Sequence, residues 1–78
     1  MNKKQRNELE RIASLLEELR SDLEVICDEE NEKLDNIPDN LYGTDRYNDM
    51  MEVRDNLEEV IADLDNTIDN LRDNVIDF

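Results

Sequence analysis

The sequence lacks the residue types on which most enzyme and metal sites depend. It has no histidine, no tryptophan, and only one cysteine, one glycine and one proline among 78 residues. Without histidine, a serine or cysteine nucleophile has no usual general base, and the common zinc sites lack their ligands. A single glycine also excludes a glycine-rich loop that holds phosphates. The sequence predicts no catalytic residue, no metal, no cofactor and no enzyme activity; a pair of carboxylates is the one acid–base alternative left.

Long apolar runs and paired cysteines are also absent. The longest apolar runs, 25–27 and 60–62, have three residues, whereas a transmembrane helix needs about 20. The single Cys27 cannot form an internal disulfide, which is typical of a reducing compartment. The first eight residues contain no apolar stretch of the kind found in targeting segments. We therefore expect a cytoplasmic protein that makes no membrane contact.

Basic residues are scarce, and their distribution is uneven. The chain has nine Lys and Arg against 23 Asp and Glu, which gives a net charge of −14. The first 11 residues hold four bases and two acids, whereas the remaining 67 hold five bases and 21 acids. Such a surface repels nucleic acid and attracts basic protein surfaces. The expected partner is therefore a basic protein surface, with no direct binding to nucleic acid.

The apolar residues that are present follow helical repeats. In the first half, six of them recur at alternating steps of three and four residues: Leu9, Ile12, Leu16, Leu19, Leu23 and Ile26. In the second half, five lie seven residues apart: Met50, Leu57, Leu64, Leu71 and Phe78. Pro38 and Gly43 mark the turn between the two halves. The pattern predicts helices over 3–36 and 45–76, with a hinge over 37–44.

The predicted fold is all-α, a single domain over 1–78 in which the two helices form an antiparallel hairpin. The central core is expected at Leu16, Leu19, Leu57 and Leu64. Because both apolar stripes are wider than one contact needs, we expect a homodimer that forms a four-helix bundle or coiled coil. The alternative is a monomer that completes its core on a different protein.

The end of the second helix carries an unusual series of aspartates. Four of them, called the acidic row below, recur at every fourth residue: Asp65, Asp69, Asp73 and Asp77. Like charges at this spacing destabilise a helix, and Arg72 is the one base nearby in the sequence. We expect the row to run straight along the helix. Because it costs helix stability, we also expect it to bind a partner. Alternatively, it is only a solvated surface. Tyr42 beside the hinge is a second candidate partner contact, since aromatic residues are enriched at interfaces.

The segment from Asp28 to Leu41 joins an acidic run to the hinge sequence Asp-Asn-Ile-Pro-Asp-Asn-Leu. It resembles a group of small acidic helical-hairpin proteins encoded by phages and prophages, which are uncharacterised. The helix start at Gly43 and Thr44 departs from that group's pattern. The resemblance implies a mobile-element origin and the cytoplasm of a host cell. Two functions follow as hypotheses: an acidic inhibitor that binds a basic host or defence protein by nucleic-acid mimicry, or a dimeric module that scaffolds other components.

Overall fold

The computed structural model describes all 78 residues as two long helices joined by a short connection. Helix α1 spans Lys3–Asp35 and helix α2 spans Asp45–Leu71. A 3-10 turn, Asp39–Leu41, lies in the connection, and a π turn, Arg72–Ile76, extends α2. The helices pack side by side in a rod of 60 × 16 × 13 Å. The predicted all-α fold with two helices in a hairpin is confirmed. Neither helix has a segment apolar enough to cross a membrane.

The bounds of helix α1 are explained by a cap at its start and by Pro38 after its end. The Asn2 side chain accepts a hydrogen bond from the Gln5 N–H at 2.8 Å, and the Gln5 side chain accepts one from the Asn2 N–H at 3.1 Å. This reciprocal cap satisfies two amide groups that the helix leaves unpaired. The helix ends at Asp35, one residue before the predicted end, because Pro38 disfavours helical conformation in the residue before it.

The connection is ordered by Gly43 and Thr44. Gly43 has a φ of +81°, a left-handed conformation that side chains other than glycine rarely adopt. The Thr44 hydroxyl donates to the Leu41 carbonyl at 2.7 Å and accepts from the Tyr47 N–H at 3.3 Å. Thr44 therefore caps α2 and also fastens the turn to it.

The π turn changes the register at the end of α2. The Asp77 N–H donates to the Arg72 carbonyl at 2.9 Å, a five-residue step in place of the four-residue step of an α-helix. The extra residue rotates the last turn, so that Ile76 is buried at 5% exposure while Val75 is 40% exposed. The turn thus brings an isoleucine onto α1 that a continuous α-helix would place away from it.

The fully buried contacts between the helices differ from the predicted core. The buried residues are Ala13, Cys27, Leu34, Ile61, Ile68 and Ile76. Leu16, Leu57 and Leu64 are half-buried, whereas Leu19 is 57% exposed, so its assignment to the core is wrong. The small side chains of Ala13 and Cys27 allow α2 to pack close to their side of α1. Leu19 is thereby turned away from α2.

Candidate interaction surfaces

The acidic row lies on α2 and its π turn, and its members differ in exposure. Asp69, Asp73 and Asp77 are exposed, whereas Asp65 is half-buried at the contact with α1. Each residue of an α-helix turns by 100°, so four residues overshoot a full turn by 40°. The expected straight line of charge is therefore wrong: the row is inclined across the helix surface. The π turn partly reverses this drift at Asp77 because it adds a residue to the last turn.

Asp65 is held by an arginine of the opposite helix. Arg20 Nε lies 2.9 Å from Asp65 Oδ1, and Arg20 Nη2 donates a hydrogen bond to Asp65 Oδ2 at 3.2 Å. Arg20 also contacts Glu24, one turn further along α1. The hydrogen bond that Arg20 donates to Asp65 and the charges of both carboxylates raise the pKa of Arg20 above its ordinary value. Asp65 is thus neutralised within the hairpin and differs from the other three members of the row.

Two further arginines bridge the helices along the same edge. Arg72, the one base near the acidic row in the sequence, pairs with Glu17 of α1 and with no member of the row. Arg54 Nη1 donates a hydrogen bond to Asn31 Oδ1 at 3.1 Å. We call the side of the hairpin bearing these three cross-helix contacts the closed edge; its residues are Glu17, Arg20, Asn31, Arg54, Asp65 and Arg72.

Most of the carboxylates have no basic neighbour. The ion pairs within 4.0 Å involve seven acidic residues: Glu8, Glu17, Glu24, Glu30, Asp55, Glu58 and Asp65. The other 16 of the 23 acidic residues make no ion pair, and no charged residue is buried. The outer surface of the rod therefore carries uncompensated negative charge along most of its length.

Tyr42 lies at the tip of the hairpin, beside a small apolar cleft. It is 51% exposed, and its ring packs against Tyr47 with centroids 5.0 Å apart at an angle of 39°. The cleft has a volume of about 470 Å³ and is lined by Lys33, Ile37, Leu41, Thr44, Arg46, Tyr47 and Met50. This cleft was not predicted, although apolar residues cluster in the sequence around the only proline and the only glycine. Tyr42 thus lies beside a concave surface that suits a protein contact.

A second surface consists of apolar residues that do not face the other helix, in line with the width expected of both stripes. They are 39–57% exposed, and we call them the apolar face: Ile12, Leu15, Leu19 and Ile26 on α1, with Val53 and Val60 on α2. Three of the six, Ile12, Leu19 and Ile26, belong to the helical repeat of the first half of the chain. Their exposure shows that the contact between the two helices uses only part of each stripe.

The structure offers few groups for chemistry or metal binding. Cys27 is 5% exposed, and burial, followed by the charge of nearby Glu58, raises the pKa of its thiol. A buried protonated thiol is a poor nucleophile. No group of three or more carboxylates and thiols comes close enough to hold a metal ion.

Comparisons with protein-family models, curated proteins and solved structures found no match.

Proposed function

We propose that this protein is a non-enzymatic acidic binding protein that occupies a basic surface of another protein. The observation that carries the proposal is the set of 16 unpaired acidic residues on a rigid rod 60 Å long. Charges held on rigid helices can match a basic surface without further ordering, which lowers the entropic cost of binding. The proposed contact residues are Asp69, Asp73 and Asp77, the exposed part of the acidic row, and Tyr42, which lies near the opposite end of α2.

The charge density supports mimicry of nucleic acid most strongly for a dimer. Duplex DNA carries one charge per about 1.7 Å, hence about 35 charges over a length of 60 Å. One chain carries a net charge of −14, and two chains side by side carry −28 over the same length. A dimer therefore reaches about four fifths of the DNA value, whereas a monomer reaches less than half. A basic groove that binds DNA or RNA is accordingly the proposed target.

The resemblance to phage and prophage proteins indicates which partners to test first. An inhibitor encoded by a mobile element would act on a nucleic-acid-binding protein of the bacterial host or of its defence systems. The protein would then work by occupying the groove, with no chemical step and no cofactor.

A pull-down at two salt concentrations tests the proposal. The tagged protein is incubated with a bacterial extract at about 0.05 M and about 0.5 M NaCl, and bound proteins are identified by mass spectrometry. We expect basic nucleic-acid-binding proteins at low salt and their loss at high salt, because screening weakens contacts between exposed charges. An unrelated helical protein of equal net charge is the control for general ion exchange. Partners that are shared with this control, or that stay bound at high salt, would contradict the proposal.

The second candidate function is a dimeric assembly module that scaffolds other components. The apolar face favours it, because contiguous exposed apolar surface marks protein interfaces. Apolar association persists when salt is raised, which separates this function from electrostatic binding. Both functions are compatible with one molecule if the apolar face forms the dimer and the acidic surface binds the partner.

A further inference from the structure

The apolar face bears a simple relation to the contact between the helices. On each helix its residues come one position before residues that face the other helix. The pairs on α1 are Ile12 and Ala13, Leu19 and Arg20, and Ile26 and Cys27; those on α2 are Val53 and Arg54, and Val60 and Ile61. One position along an α-helix corresponds to a rotation of 100°. The exposed rows therefore lie roughly at right angles to the direction in which the helices meet.

Both exposed rows lie on the same side of the hairpin. The helices are antiparallel, so the direction of rotation reverses between them when both are viewed from one end. Leu19 precedes Arg20 on α1, and Val60 precedes Ile61 on α2, by one position. This step back turns the two helices in opposite directions, so Leu19 and Val60 lie on the same side of the hairpin. The cross-helix contacts of Arg20 and Arg54 lie on the other side, the closed edge. The hairpin is thus a layer with one polar side and one apolar side.

The apolar side is large enough to be the centre of an interface. Its six residues at about half exposure present on the order of 400 Å² of apolar surface. Half-buried leucines next to them, Leu16, Leu23, Leu57 and Leu64, add to this surface. A stable interface buries about 800 Å² per partner, of which a little more than half is apolar. The apolar face with a polar rim therefore matches one side of a dimer.

The charges along α1 favour one arrangement of two copies. The pairing of Glu17 with Arg72 places the residues that follow α2, up to Phe78, near residue 11 of α1, so residues 3–8 extend past them. This extension carries Lys3, Lys4 and Arg6, none of which makes an ion pair within the hairpin. The other end of α1 carries an acidic run: Asp28, Glu29, Glu30, Glu32 and Asp35. The two ends of α1 are therefore complementary in charge.

We propose that a second copy of this chain docks on the apolar face, with the two α1 helices antiparallel and a two-fold axis beside Leu19. This inference rests on the dimer of the proposed function and specifies its surface and orientation. In this register, residue i lies opposite residue 38 − i of the second copy. Ile12 then meets Ile26 of the second copy. The basic end of each α1 then lies alongside the acidic end of the other α1.

Engineered disulfides test the orientation in the full-length chain. The native thiol is first removed by Cys27→Ala, and single cysteines are then introduced by Leu19→Cys, Ile12→Cys and Ile26→Cys. Since a disulfide requires Cα atoms within about 7 Å, we expect Leu19→Cys to form a covalent dimer alone. Ile12→Cys and Ile26→Cys should form little dimer separately and a heterodimer when mixed. Ser21→Cys, exposed on another side of α1, is the matched control and should remain unlinked.

Sedimentation of the unmodified chain distinguishes the possible failures. A dimer mass at about 50 µM, reduced to a monomer by Leu19→Glu with helicity unchanged, supports the apolar face as the interface. If the chain is a dimer but Leu19→Cys does not cross-link, while Ile26→Cys links to Val60→Cys, the antiparallel arrangement of the two α1 helices is wrong. The assembly function would still be supported. A monomer mass for the unmodified chain would overturn both, without bearing on the binding of a basic partner.

Discussion

Arg20 of α1 and Asp65 of α2 form an ion pair across the helix contact, with Nε 2.9 Å from Oδ1. Arg20 occupies a position where the helical repeat places α1 residues against α2, and its side chain is 27% exposed. Its aliphatic stem can therefore pack on apolar neighbours while the guanidinium reaches the closed edge. The same contact removes Asp65 from the uncompensated charge of the acidic row. The partner-binding role predicted for that row is accordingly proposed for its other three members.

The two single substitutions of this ion pair should destabilise the hairpin by different amounts. Arg20→Ala should lower the melting temperature more than Asp65→Asn, because it removes both the charge and the packing of the stem. The double variant should lose less than the sum of the two single changes, since the residues act as a pair. Thermal unfolding followed by circular dichroism measures all three. Strict additivity would show that the ion pair contributes nothing.

Ile68 tests the core of the hairpin. It is 4% exposed, and Ile68→Ala should lower the free energy of unfolding by about 2–5 kcal/mol, through lost burial and a residual cavity. Val25→Ala is the control, because Val25 is 56% exposed and outside the helix contact; its effect should be below about 0.5 kcal/mol. Urea unfolding of both variants gives the comparison. Equal effects would mean that the helices do not pack as described.

Gly43 tests the connection. Its φ of +81° is unfavourable for residues with a Cβ, although no atom lies within 4 Å of the position that a Cβ would take. Gly43→Ala should therefore cost about 1 kcal/mol of stability from backbone strain alone. Gly43→Asn should cost less, because asparagine tolerates the left-handed conformation better than alanine does. Equal stability of the two variants would show that the substitutions do not act through the left-handed conformation of residue 43.

Cys27 gives the protein a pH dependence in the alkaline range. Burial raises the pKa of its thiol from 9.0, so the folded state holds this proton more tightly than the unfolded state does. The stabilisation is complete below about pH 9 and is lost as pH rises through the pKa of the folded state. Cys27→Ala should therefore lose less stability than the unmodified chain between about pH 9 and pH 11. Parallel losses in the two proteins would contradict the assignment.

The overall fold could be predicted from the sequence because its signals are local. The heptad spacing indicates two helices, and Pro38 with Gly43 marks the turn between them. The residues in the helix contact could not be predicted in the same way. Each stripe is wide enough for two contacts, and periodicity alone does not show which part faces the neighbouring helix. Periodicity therefore predicts Leu19 in the core, although it belongs to the apolar face.

The candidate site was predictable in composition and less so in geometry. The spacing of the acidic row is visible in the sequence, but its relation to α1 is not. That relation depends on the antiparallel register, which brings Arg20 to Asp65 and Arg72 to Glu17. The π turn has no signal in the local sequence that we recognise, yet it alters the direction of Asp77.

The central claim is that exposed carboxylates of the acidic row bind a basic protein surface. The most direct test uses a partner that was captured at low salt. Its affinity is measured for two variants that have the same net charge. The first is Asp69→Asn, Asp73→Asn and Asp77→Asn; the control is Glu18→Gln, Glu52→Gln and Glu59→Gln, three exposed acids without ion pairs. At about 0.15 M salt, we expect the first variant to bind about tenfold more weakly than the control. Equal affinity of the two variants would contradict a specific role for the acidic row.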